Sequence, residues 1–121
     1  MVSRTAAANA TAVNVQTANA VVIKKLRCRQ FTKDAPKLFL QVHNKNAPTM
    51  GTDLPDIVIP IPAGISAQDA MVTKATFYGP FGGAYLATAF SYAVTTTATG
   101  LTAPDAGDEP EVEIHYEKIP G

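Results

Sequence analysis

The sequence predicts an all-β domain: an antiparallel β-sandwich of jelly-roll type with an extended N-terminal arm. Three observations lead there. Short segments alternate apolar and polar side chains with the period of two that marks a half-buried strand. Nine prolines and eight glycines cut the 121 residues into short pieces with turn chemistry between them. Only residues 66–74 carry helix-start chemistry. Six or seven short strands with at most one helical turn fit a sandwich or jelly roll.

The elements follow in order. Residues 1–20 are Ala, Thr, Asn and Gln, with Val2, Val13 and Val15 as the large apolar side chains. So little apolar surface cannot offset chain entropy. They are expected to form an arm that orders on a partner, leaving 21–121 as the sandwich domain. Val21–Arg29 reads as a strand with a basic end, Val21, Ile23 and Lys25 on one face and Val22, Lys24 and Leu26 on the other. In Lys37–His43, Leu38, Leu40 and Val42 alternate with Phe39, Gln41 and His43. Asn44–Pro55 is a loop. Ile57–Pro62 is β-branched, but Pro60 and Pro62 cannot donate to a ladder, so this strand is short or at an edge.

Ser66 could cap a helical turn over 66–74, although Met71, Thr73 and Ala75 also alternate as a strand would. Thr76–Tyr78 looks extended and Gly79–Gly83 is a turn. Tyr85–Thr97 is the longest strand expected, with Leu86, Thr88, Phe90, Tyr92 and Val94 on its bulky face. Leu101–Pro110 is a loop. In Glu111–Glu117, Val112, Ile114 and Tyr116 should point inward, and Glu111, Glu113, His115 and Glu117 outward.

Composition excludes several classes. One domain's length leaves no room for a multi-domain enzyme. Twenty alanines inflate the apolar count, and no apolar run reaches the ~20 residues of a membrane span. The single Cys28 excludes a disulfide framework or a multi-cysteine zinc site. Residues 1–20 lack the leucine-rich core of a secretory signal. Ten cations balance ten carboxylates, yet residues 1–45 carry +7 and residues 46–121 carry −7. This asymmetry suggests a basic segment meeting an acidic surface on another copy, unless folding mixes the two halves.

No catalytic motif stands out, and neither a cofactor nor a metal is expected. His43 and His115 read as outward-facing strand residues without metal-ligand spacing. Cys28 points away from Arg27 and Arg29 along a strand and is expected to be inert. The carboxylates Asp105, Asp108, Glu109, Glu111 and Glu113 lack the spacing of a calcium loop and read as a solvated acidic face. Lys25, Arg27 and Arg29 share a strand face, as phosphate contact would need. With few aromatics interleaved, an acidic protein surface suits them better than nucleic acid.

Lys37–Pro62 runs Leu-Phe-Leu-Gln-Val-His-Asn, a Pro/Gly loop, then Ile-Pro-Ile-Pro, followed by Ala63-Gly64. Residues 85–103 carry a Thr-Thr-Thr run, and the chain then reaches Val-Glu-Ile-His-Tyr. Over residues 37–117 this order of motifs resembles small β-sandwich virion proteins of tailed bacteriophages. The resemblance implies a non-enzymatic structural role, foremost as a capsid decoration (cement) protein. It implies a place in the virion, assembled in the bacterial cytoplasm, and no contact with a membrane. Its partners would be the major capsid protein or other virion proteins, and itself as a dimer or trimer. The residues expected to make these contacts are Arg4, Val13, Val15, Lys24, Lys25, Arg27 and Arg29. The alternatives are a neck, tail or fibre-base component, or a carbohydrate-binding sandwich at a receptor-binding tip using Tyr78, Phe81, Tyr85 and the acidic loop 105–113. A chain lacking residues 1–20 is expected to fold and to lose particle binding.

Overall fold

The computed structural model describes residues 1–66 and 68–119. Among the described residues, nine strands form two antiparallel sheets: β1 (Val2–Thr5), β2 (Val13–Gln16), β3 (Val21–Gln30), β4 (Leu38–His43), β5 (Ile57–Ile61), β6 (Met71–Thr76), β7 (Ala84–Leu86), β8 (Phe90–Thr95) and β9 (Glu111–Lys118). The first sheet runs β1-β9-β3-β6, with β7 on the early part of β3; the second runs β2-β8-β4-β5. The expected sandwich class is what the chain adopts. β5, with its prolines, lies at an edge as its sequence requires.

The core lies between the sheets. Ile23, Leu26, Val112 and Ile114 from the first sheet meet Leu38, Leu40, Phe90, Tyr92 and Val94 from the second. Phe90 packs edge-on against Tyr116 across the core, ring centres 5.3 Å apart. β9 follows its alternation throughout: Val112, Ile114 and Tyr116 are buried, while Glu111, Glu113 and His115 are half-buried on the outer side.

The N-terminal segment departs from expectation. Residues 1–20 supply an edge strand to each sheet rather than a separate arm. β1 pairs with β9 and β2 with β8. Between them Ala8 is buried in the core, its N–H donating to Pro110 O at 2.8 Å, and Asn9 O accepts from Val94 N–H at 2.9 Å. Two strand ladders supply what the sparse apolar side chains could not.

Three smaller expectations are corrected. β3 carries a bulge between Ile23 and Lys25. Val21 and Ile23 face the core before it, and Leu26, Cys28 and Gln30 after it. The extra residue inverts the face, so no single alternation spans the strand. Tyr85–Thr97 is two strands: β7 belongs to the first sheet and β8 to the second, with the crossing held where Asn44 Oδ1 accepts Thr88 N–H at 2.8 Å. In 66–74, Ser66 Oγ accepts Asp69 N–H at 3.0 Å in a single turn, and the chain then takes the extended alternative as β6. Ala67 lies outside the described residues.

Loops cover Gln41, His43, Ser91 and Thr95 on the outer side of the second sheet, and here His43 differs from its expected surface position. His43 is 1% exposed, with Nε2 3.1 Å from Gln41 Oε1. Gln41 Nε2 donates to Thr95 Oγ1 at 2.7 Å and to Gly100 O at 3.1 Å. Burial lowers the His43 pKa below its ordinary 6.5; Asp56 and Asp53 oppose the shift and Lys45 adds to it. A lowered folded-state pKa means that the unfolded chain takes up the proton first as pH falls. Stability from this site should therefore be complete above about pH 6.5 and decline below it. We expect the urea midpoint to drop between about pH 7 and pH 5, and the drop to shrink in His43→Gln. An equal drop in that variant would assign the effect elsewhere.

Candidate interaction surfaces

The five cations singled out from the sequence lie on or beside the outer face of the first sheet. After the β3 bulge, Lys25, Arg27 and Arg29 point outward and Cys28 inward. Their neighbours are fixed by register: Lys25 lies between Thr76 and His115, Arg27 between Lys74 and Glu113, and Arg29 between Val72 and Glu111. β1 adds Arg4 beside Glu113.

Most of this positive charge meets carboxylates of the same chain. Arg4 Nη2 donates to Glu111 Oε2 at 2.9 Å, and Arg29 holds the other oxygen through Nε at 2.7 Å. Arg27 Nη2 donates to Glu113 Oε2 at 3.0 Å, with His115 Nε2 2.8 Å from the other oxygen. Lys24 lies 3.3 Å from Glu117. Partial burial alone would raise the Glu111 pKa, but the hydrogen bonds from Arg4 and Arg29 outweigh it and hold the carboxyl low. The hydrogen bond from His115 holds Glu113 low against partial burial, and Arg27 adds to it. The charge halves of the sequence are thus largely interleaved by placing β9 between β1 and β3.

Of the seven expected contact residues, four cations are therefore paired within the chain, and Val13 and Val15 pack against the core. Lys25 is the exception: it is exposed and has no carboxylate partner among the described residues. Exposed Lys74 shares that condition and lies diagonally across from it.

A second surface lies at the open edge formed by β7 and the loop before it. Tyr78 is 87% exposed, Phe81 58% and Tyr85 45%. Phe81 and Tyr85 pack against each other with ring centres 4.8 Å apart. Lys24 Nζ ties the loop to the sheet through Gly82 O at 3.3 Å. β7 pairs with β3 on one side, and no other strand pairing of β7 is present among the described residues.

Comparison with protein-family models, curated proteins and solved structures gives no match.

The remaining candidates are accounted for by their surroundings. Cys28 is fully buried, and desolvation pushes its thiol up to about 12, which keeps it protonated. His43 and His115 lie on different sheets and do not meet. No group of three or more His, Cys, Asp or Glu side chains suited to a metal comes together among the described residues. The sequence did reveal the shared face of Lys25, Arg27 and Arg29. It gave no signal for their partners, because those depend on strand order.

Proposed function

We propose that the chain is a non-enzymatic structural protein of a tailed-phage particle, a capsid decoration protein that binds the outside of the head and ties neighbouring capsomers together. The aromatic edge of Tyr78, Phe81 and Tyr85 carries this reading. Large aromatic side chains presented together to solvent are the usual anchors of protein interfaces. Two of them are already packed against each other, so less side-chain freedom is lost on binding. Strand order lends support: β1-β9-β3-β6 over β2-β8-β4-β5 is read as the rolled ribbon of a jelly roll, a fold used in viral capsid and lectin domains. That part is analogy of fold. The likeness of residues 37–117 to phage virion proteins adds the particle. The partners are the major capsid protein or other virion proteins.

Heads assembled without this chain should bind the purified protein in co-sedimentation. Phe81→Ala/Tyr85→Ala should weaken that binding at least about 100-fold, since two anchors of this kind are each worth about 2 kcal/mol. Both side chains are exposed, so stability should move by less than about 0.5 kcal/mol. A parent protein that ignores heads would end the decoration reading; binding to necks or tails alone would move it there. The aromatic pair also suits stacking on a sugar ring. Polysaccharide binding that disappears in Tyr85→Ala would favour a receptor-binding tip instead.

A further inference from the structure

We infer that the basic outer face of the first sheet docks the acidic loop end of a second copy of this chain, head to tail. The charge map carries this. The face presents Arg4, Lys25, Arg27, Arg29 and Lys74 against Glu111 and Glu113, an excess of three positive charges. The loops beyond the end of β3 and the start of β9 hold Asp34, Asp69, Asp105, Asp108 and Glu109 against Lys33 and Lys37, an excess of three negative charges. The other six charged side chains, Lys24, Lys45, Lys118, Asp53, Asp56 and Glu117, cancel. Beyond the ion pairs within the chain, a net charge of zero thus leaves a basic excess on the sheet face and an acidic excess in the loops at its end.

Within the face, unlike neighbours run out at one corner. Arg27 lies directly opposite Lys74, an arrangement that repels when nothing stands between, and Lys25 lies directly opposite His115. These four side chains line a cavity of about 170 Å³, large enough for one acidic side chain. Arg27 Nε, buried, has no acceptor among the described residues. An incoming carboxylate would relieve the repulsion and give the arginine and lysines an acceptor. On the acidic end, Asp34, Asp69 and Asp105 are exposed. Because the two patches differ, the contact is heterologous, and repetition closes a ring or extends an array.

The inference stands on the charge map and not on the particle reading, and the purified chain alone tests it. In sedimentation velocity the parent should self-associate at about 0.01 M ionic strength, where charges act over about 30 Å, and dissociate at about 1 M, where they act over about 3 Å. Lys25→Glu/Lys74→Glu should weaken association at least about tenfold, and so should Asp34→Lys/Asp69→Lys/Asp105→Lys. Mixed in equal amounts, the two variants should associate again, since each then offers the patch that the other lost. The neutral pair Lys25→Gln/Lys74→Gln should shift association in the same direction with a smaller change of charge. A parent that stays monomeric at low salt, a variant that associates as the parent does, or a mixture that stays apart would each overturn the assignment. Failure to bind heads, by contrast, would leave it untouched.

Discussion

Deleting residues 1–20 should unfold the domain. The truncated chain is expected to lose its near-ultraviolet circular dichroism and its cooperative urea transition. The deletion strips an edge strand from each sheet, leaving one side of β9 and of β8 unpaired. It removes Ala8 from the core and Val13 and Val15 from its border. It also strands a buried phenol. Tyr92 Oη lies 3.0 Å from Ser3 Oγ and 2.6 Å from Thr5 Oγ1, and Tyr92 is fully buried. A buried hydroxyl without a partner costs about 1–3 kcal/mol, and each lost valine contact adds about 1 kcal/mol. With two ladders gone as well, the loss reaches about 5 kcal/mol or more, the scale of a small domain's whole stability. A truncated chain within about 1 kcal/mol of the parent would show that these strands are dispensable.

Gly64→Ala should cost about 3 kcal/mol, near the top of the range for forced overpacking. Gly64 N–H donates to Thr32 O at 2.8 Å, which lays the turn after β5 against the end of β3. A Cβ at Gly64 would stand 2.7 Å from the carbonyl carbon of Phe31 and 2.8 Å from the nitrogen of Thr32, with Gln30 O closer still. All three obstacles are backbone, so no side-chain rotation clears the space. The displaced segment also carries buried Gln30, whose Nε2 donates to Asp108 O at 2.7 Å and whose Oε1 accepts Thr32 N–H at 3.0 Å. Moving the turn therefore disturbs a junction of three loops. The urea midpoint should fall with little change in slope, while the neighbouring Ile65→Ala, at an exposed position, should change stability by less than about 0.5 kcal/mol. Equal effects at both positions would contradict the steric account.

The elements read correctly from sequence are those whose pattern is set by one sheet face and water. β9 is readable because its carboxylates face outward along the whole strand. β5 is readable because Pro60 limits where it can pair. The β3 bulge left no trace, since Lys24 and Lys25 are alike in charge and length and either suits the outer side of the strand. Tyr85–Thr97 looks continuous because both sheets turn their bulky face to the same core, so Leu86, Phe90 and Tyr92 keep phase while the chain changes sheets. β1 and β2 were missed because their stability comes from the strands that they join. Strand order also decided the basic segment. Its shared face follows from period two, but its carboxylates arrive from the far end of the chain.

The pairing of β1 with β9 also sets a schedule for synthesis. Val2 meets His115, and Met1 O accepts Tyr116 N–H at 2.9 Å, so the first strand waits for the last. At about 5–20 residues per second, that interval is roughly 6–23 s on the ribosome. The second sheet can assemble once β8 emerges, but the first stays open until β9 leaves the exit tunnel. A fold closed by its most distant contacts matures late and slowly. During that interval the nascent chain presents unpaired strands to its neighbours on the same message, where chaperone protection would matter most.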